Sequence, residues 1–227
     1  QSLLSARQTT IYKNLNHLEA TMKKIGILTF HRAINYGAQL QAYALQKTVS
    51  EMGTDCELVD YICPAITKPY KPFYITKSNP LMSFAKSCVM WNRRRKKAIS
   101  FESFQNKIVK SKQQYDSSNI ALANDKYDLF ITGSDQVFSP WCVDFDPVYF
   151  LTFSDDRKKF SYAASFGRAS LESKHQTTFK NEIVKFSAVS VREEDGAKLI
   201  EKLEEFFKNK GRNYIQAYNY LPLCYEW

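Results

Sequence analysis

The stretch Lys24-Ile25-Gly26-Ile27-Leu28-Thr29-Phe30, followed by a helical pattern to Met52 and by Cys56-Glu57-Leu58-Val59-Asp60-Tyr61, decides the fold. Ile25 to Phe30 is a short apolar run, which suits a strand covered on both faces. Ala38, Ala42, Leu45, Val49 and Met52 recur at steps of 4, 3, 4 and 3, placing them on one helical face, and Gly53 supplies the stop. Strand, helix and strand within residues 25–61 form one right-handed βαβ unit, so a parallel sheet is expected. The expected fold class is therefore α/β.

Working outward, three more runs read as strands: Tyr127 to Thr132, Phe160 to Ser165 and Phe186 to Val191. Each ends in polar residues. Gly133-Ser134-Asp135-Gln136 follows the first and Phe166-Gly167-Arg168 the second, while Arg192-Glu193-Glu194-Asp195 follows the third and opens a helix through Leu199, Ile200 and Leu203. Ligands of open α/β sheets bind beyond the carboxyl ends of the strands, so these tips are where chemistry is sought.

The connection after Tyr61 differs in character. Pro64, Pro69, Pro72 and Pro80 predict an irregular path over the surface. Leu81, Phe84, Ala85 and Cys88, and then Phe101, Phe104 and Ile108, predict two basic amphipathic helices packed by their aromatics on either side of the Arg93 to Lys97 cluster. Residues 64–115 hold twelve Lys/Arg against the single acid Glu102, a charge of +11 in a chain whose net charge is +9. Such a segment attracts polyanions or an anionic membrane surface, or is simply a solvated helix face. Nucleic acid has only the charge in its favour, with no recognition motif beside it.

Composition bounds the rest. In 227 residues, 44% hydrophobic and 24% charged with 7 Gly and 7 Pro, collagen-like and low-complexity classes are excluded and one packed domain with tails is expected. No run approaches the roughly 18 apolar residues of a membrane span, since charges such as Lys86 interrupt each candidate, so a soluble protein is expected. Cys56, Cys63, Cys88, Cys142 and Cys224 include no C-x-x-C pair, which fits a reduced chain in the cytoplasm. His17, His31 and His175 are equally scattered, so no metal site is expected. Residues 1–21 lack a basic start and apolar core and read as a flexible or mis-assigned extension before a domain beginning near Met22.

Several residues at the tips carry candidate chemistry. The turn His31-Arg32-Ala33-Ile34-Asn35-Tyr36-Gly37-Ala38-Gln39 leads into a helix start whose free N–H groups favour an anion or a polar sugar group, with Gly37 permitting close approach. Asn35 fits there equally as a helix cap. A dinucleotide site is disfavoured, because Asp60 follows the second strand but Gly-x-Gly-x-x-Gly is absent. Gly133, Ser134, Asp135 and Gln136 suit hydrogen bonding to hydroxylated ligands or acid/base work, and equally a turn with a cap. Arg192 is a permanently charged fork for a phosphate or carboxylate, or else the partner of Glu193, Glu194 or Asp195.

Taken in order, Ile25 to Thr29, Asn35-Tyr36-Gly37-Ala38-Gln39-Leu40-Gln41-Ala42-Tyr43-Ala44-Leu45, Gly133-Ser134-Asp135-Gln136-Val137, Ser161-Tyr162-Ala163-Ala164-Ser165-Phe166-Gly167 and Ser190-Val191-Arg192-Glu193-Glu194-Asp195-Gly196-Ala197 resemble the polysaccharide pyruvyl transferase family. The resemblance covers about Met22 to Leu203. It implies one Rossmann-like lobe of a two-lobe architecture similar to the GT-B glycosyltransferases. The implied reaction moves a pyruvyl group from phosphoenolpyruvate, the donor substrate, onto the hydroxyls of a saccharide or lipid-linked glycan as a ketal, without a cofactor. It further implies Arg192 as the donor's anion clamp, Asp135 as acid/base, and Asn35, Gly37, Gln39, Gly133, Ser134 and Gln136 as substrate-binding residues. A full member continues past Leu203 into a second lobe, whereas residues 204–227 are aromatic-rich and atypical. The expectation is thus an amino-terminal lobe whose activity calls for a second-lobe chain or a homo-oligomer. The alternative is a non-catalytic module that holds an anionic surface or glycan through residues 64–115, peripheral to the membrane.

Overall fold

A computed structural model describes residues 24–68, 79–143, 146–167, 172–198 and 200. The expectations for residues 1–21, for Pro69 and Pro72, for Arg168, for the helix beyond Ile200 and for residues 204–227 lie outside them. The opening unit is as the sequence predicts: β1 (Lys24–Leu28), α1 (Tyr36–Glu51) and β2 (Asp55–Tyr61), with β1 and β2 parallel and Ile25 opposite Cys56. Gly53 sits at φ 86°, the left-handed conformation that stops a helix at little strain only for glycine.

Five strands form one parallel sheet in the order β3-β2-β1-β4-β5, where β3 is Lys110–Tyr115, β4 is Leu129–Gly133 and β5 is Lys159–Tyr162. β1 lies at the centre. The chain runs from it to β2 and β3 on one side and then returns to β4 and β5 on the other, so the crevice between β1 and β4 is a topological switch point. This is the Rossmann-like α/β arrangement expected.

Alternation along the strands divides the core. Ile25 and Ile27, with Leu58 and Leu129, bury against Ala42, Leu45 and Val49 of α1. Leu28, Val59 and Phe130 face the opposite layer, where Phe138 packs against Phe150 at 4.8 Å, Phe166 at 5.8 Å and Phe179 at 5.9 Å between ring centroids. These rings fasten the loop after β4 to α4 (Ser173–Ile183). Emptying the place of one such ring costs about 3–5 kcal/mol.

Two sequence expectations are corrected. The pair of basic helices is a single helix, α3 (Pro80–Gln105), capped by Asn79 and started by Pro80, because neither Gly nor Pro interrupts residues 81–105 and the Arg93 to Lys97 cluster remains solvated on a continuous helix. Its carboxyl-terminal end packs by aromatics, Phe101 on Tyr36 at 4.6 Å and Phe104 on Tyr43 at 5.8 Å. The segment 64–115 is also not helical throughout, since after the short α2 (Pro64–Thr67) and α3 it closes with the edge strand β3.

The expected strand Phe186 to Val191 runs parallel to β5 without becoming a regular strand. Ser161 N–H donates to Ala188 O at 3.1 Å and Ala164 N–H to Ser190 O at 3.2 Å. Between them Ser190 N–H is shared by Ser161 O at 3.2 Å and Ser161 Oγ at 3.0 Å, and Ala163, held at φ 45°, donates to Ser190 Oγ at 3.3 Å.

Candidate functional site

The candidate residues occupy the carboxyl edge of the sheet in two groups. The first lies where β1 runs into α1. Asn35 has extended backbone and its Oδ1 accepts from Ala38 N–H at 3.2 Å, so the capping role is realised. Gly37 is exposed in the first turn of α1, and a Cβ there would meet only Asn35 Oδ1, at 3.2 Å. Gln39 is buried; its Nε2 donates to His31 O at 2.5 Å and Ala33 O at 2.9 Å, tying the turn to the helix, while its Oε1 is buried with no hydrogen-bond partner.

The sequence left the centre of this turn unused. His31 is buried, with Nδ1 3.1 Å from Thr29 O and Nε2 2.9 Å from Asp60 Oδ1. Arg32 grips the same carboxylate with two bonds, Nε to Oδ1 at 2.8 Å and Nη2 to Oδ2 at 2.7 Å. Asp60, seated at the end of β2, is thus fully engaged. Burial alone would raise its carboxyl, but the hydrogen bonds from His31 and Arg32 and their charge overcome that and hold it well below the usual carboxylate range.

The second group lies beyond β4 and β5, and here the structure gathers Gly133, Ser134, Asp135, Gln136 and Arg192. Gly133 is at φ 134°, and a Cβ on it would come within 2.2 Å of Tyr162 O, so glycine is required for β4 to approach β5. Ser134 follows at φ 55°; its N–H donates to Tyr162 O at 2.7 Å, and its Oγ is buried and unpartnered. Asp135 accepts Ser165 N–H on its carbonyl at 2.9 Å and Gln136 N–H on Oδ1 at 2.7 Å. Gln136 Oε1 accepts from Cys142 Sγ at 3.0 Å.

Ser165 is the hub that joins these residues to Arg192, and sequence reasoning missed its role. Arg192 Nη2 donates to Ser165 Oγ at 3.0 Å and lies 3.4 Å from Glu193 Oε1, so the ion pair weighed as an alternative for Arg192 exists. Ser165 Oγ in turn donates to Glu193 Oε1. One Arg192 nitrogen is occupied while the guanidinium keeps other donors, and its side chain is a quarter exposed. Burial pushes the Asp135 carboxyl above its ordinary value; the bond from Gln136 N–H and the Arg192 charge pull it back only in part.

The two groups flank the β1/β4 switch point without a direct hydrogen bond between them, and the hydroxyls of Thr29, Thr132 and Ser134 with Gln39 Oε1 are buried polar atoms lacking partners around it. A buried polar group without a partner is unfavourable unless something satisfies it, and hydroxyl and amide groups match a hydroxylated ligand. Burial pushes the Cys56 thiol up to about 12 and raises that of Cys63, so neither of these two is a ready nucleophile. Among the described residues, no three His, Cys, Asp or Glu side chains stand together as a metal would require.

The family model described as polysaccharide pyruvyl transferase matches residues 35–207, about three quarters of the 227-residue chain. Searches of curated proteins and of solved structures gave no match.

Proposed function

Because the chain belongs to the polysaccharide pyruvyl transferase family, we propose that it takes part in moving the pyruvyl group of phosphoenolpyruvate onto two hydroxyls of a saccharide, with Asp135 as the acid/base. The acceptor is a saccharide or glycan, and phosphoenolpyruvate is the donor substrate; no cofactor enters the scheme. The observation that carries this reading is the gathering of Ser134, Asp135, Gln136 and Arg192 at the tips of β4 and β5, with Ser165 bonded to both Asp135 and Arg192 and burial raising the Asp135 carboxyl.

The chemistry needs such a group. Protonation of the enol methylene turns it into a methyl and leaves positive charge on the carbon bearing the phosphate. The first sugar hydroxyl forms a C–O bond there and gives up its proton. The C–O bond to phosphate then breaks and inorganic phosphate leaves. The second hydroxyl closes the ketal, again losing a proton. A carboxyl with a raised proton affinity carries its proton at a higher pH than an ordinary aspartate, which suits it to supply the first proton; once ionised it can receive one from a hydroxyl.

Arg192 offers its unspent N–H groups to the donor's carboxylate or phosphate, although Glu193 shares its charge. Ser134 Oγ and Gln39 Oε1 offer a donor and an acceptor to the saccharide, Gln136 adds its amide, and Asn35 and Gly37 present the start of α1. In a two-lobe architecture a second lobe faces these tips and brings further cations to the donor.

The test is release of inorganic phosphate from phosphoenolpyruvate across a panel of saccharides. Asp135→Asn is expected to lower turnover by about 10²–10⁴-fold, and Arg192→Ala to raise the KM for the donor. Turnover unaffected by Asp135→Asn ends the assignment of that residue. Absence of phosphate release with every acceptor counts against the reaction itself.

A further inference from the structure

Helix α3 is built the wrong way round for a core helix. Only Ser87 and Phe101 are buried along its 26 residues, and in its first half the inward face offers Ser83 and Ser87. The outward face carries the apolar side chains: Leu81 is 82% exposed, Val89 83%, Met82 66% and Ile99 56%. Leu81, Ala85, Val89, Asn92, Lys96 and Ile99 follow steps of 4, 4, 3, 4 and 3, so they form one row along the helix. Lys86, Arg93 and Lys97 flank that row on one side and Arg95 on the other. Residues 79–101 contain six Lys/Arg and no acid.

A row in which Leu81, Ala85, Val89 and Ile99 are interspersed with Asn92 and Lys96 and flanked by long cations matches the surface of an anionic bilayer. Aliphatic groups enter the boundary between headgroups and acyl chains, while Lys and Arg stems extend along it and place their charges at the phosphates. We propose that α3 is a docking surface for an anionic lipid bilayer, lying in the plane of the interface with the row of Leu81, Val89 and Ile99 inward. At ~1.5 Å per residue the helix offers a contact about 39 Å long. It does not cross the bilayer, since no helix among the described residues is long and apolar enough to do so.

Charge decides among the occupants. Two copies meeting through α3 would bring a dozen cations together with only Glu102 of each helix to offset them, which opposes self-association. A nucleic acid matches the charge but leaves Leu81 and Val89 without an apolar partner. The proposal concerns where the protein works and stands independently of its reaction.

Flotation of the full chain with phosphatidylcholine vesicles, with and without phosphatidylserine, tests it. Recovery is expected only with phosphatidylserine, weakened about tenfold between about 0.1 M and about 0.5 M salt. The neutral triple change Leu81→Ser, Val89→Ser and Ile99→Ser is expected to weaken it about tenfold again, with thermal unfolding unchanged because the three side chains are exposed. Val89→Ser alone serves if the triple variant does not fold, and is expected to lower recovery measurably. Arg93→Gln with Lys96→Gln should lower recovery as well. Equal recovery on neutral vesicles, no recovery, or recovery untouched by the serine variants would overturn the proposal, the last by reducing it to plain attraction of a polyanion. So would a dimer in sedimentation that the serine variants dissociate.

Discussion

Asp60 and Asp135 stand near the ends of β2 and β4 on the same edge of one sheet, yet their surroundings drive them in opposite directions. Asp60 is held by a buried histidine and a two-pronged arginine, and its carboxyl is pulled far down. Asp135 receives one backbone N–H on its carboxylate and only a distant share of Arg192, so burial prevails and its carboxyl rises. Asp60 has spent its hydrogen bonds on His31 and Arg32 and behaves as a fastening. The second keeps a left-handed Ser134, an unpartnered hydroxyl and spare guanidinium donors, which is how a site looks when its bonds are reserved for something else.

The sharpest way to break the second tip is Gly133→Ala. The new methyl would overlap the Tyr162 carbonyl and force β4 from β5, so a loss of about 4 kcal/mol is expected in denaturant unfolding. Next comes Asp60→Asn, which leaves His31 and Arg32 without their counter-charge; a loss of about 3 kcal/mol is expected near neutral pH. The sign follows from the depressed carboxyl: its stabilisation is full above the ordinary carboxylate pKa of about 4 and drains away as pH falls through the lower folded value. Wild type and Asp60→Asn should therefore converge in strong acid.

Asp135→Asn should behave in the opposite sense. A raised carboxyl contributes stability below its unfolded pKa and loses it as pH rises through the folded value. The variant is thus expected to match wild type near pH 3 and to be equal or more stable, by less than about 1 kcal/mol, near pH 7. Melting curves at the two pH values check it, and a large loss at pH 7 would show that Asp135 is a fastening as well. The smallest effect is Ser134→Ala, which deletes a hydroxyl that bonds nothing; stability should stay within about 0.5 kcal/mol, while affinity for a saccharide, read by calorimetry, should fall.

The sequence displayed the second tip better than the first. Ser134, Asp135, Gln136 and Arg192 are polar residues following apolar runs, and strand order alone brings them together. The fastening at Asp60 depends on a pairing of residues 29 apart, in which neither His31 nor Arg32 carries a local signature. Ser165 was read as the end of a strand; nothing in its neighbours announces that Arg192 and Glu193 meet on it. In the fold, β1, α1 and β2 were legible because their apolar spacing is regular. β3 was hidden, since Lys-Ser-Lys-Gln-Gln-Tyr at a sheet edge buries mainly Ser111 and Tyr115 and offers no apolar run. The basic cluster in α3 read as a break between helices because charge was taken for punctuation, whereas charges on a solvated face do not by themselves end a helix.

The central position of β1 has a further consequence, in time. Its bond with β2 closes early, but its other neighbour is β4, and the contact between Lys24 N–H and Asp128 spans 104 residues. Closing that loop costs about 1 kcal/mol more chain entropy than closing the βαβ unit, and it must wait for everything between to be synthesised. The crevice between β1 and β4 is therefore completed late on the folding route. A nascent chain stalled before Gly133 holds a finished βαβ unit and no completed switch point.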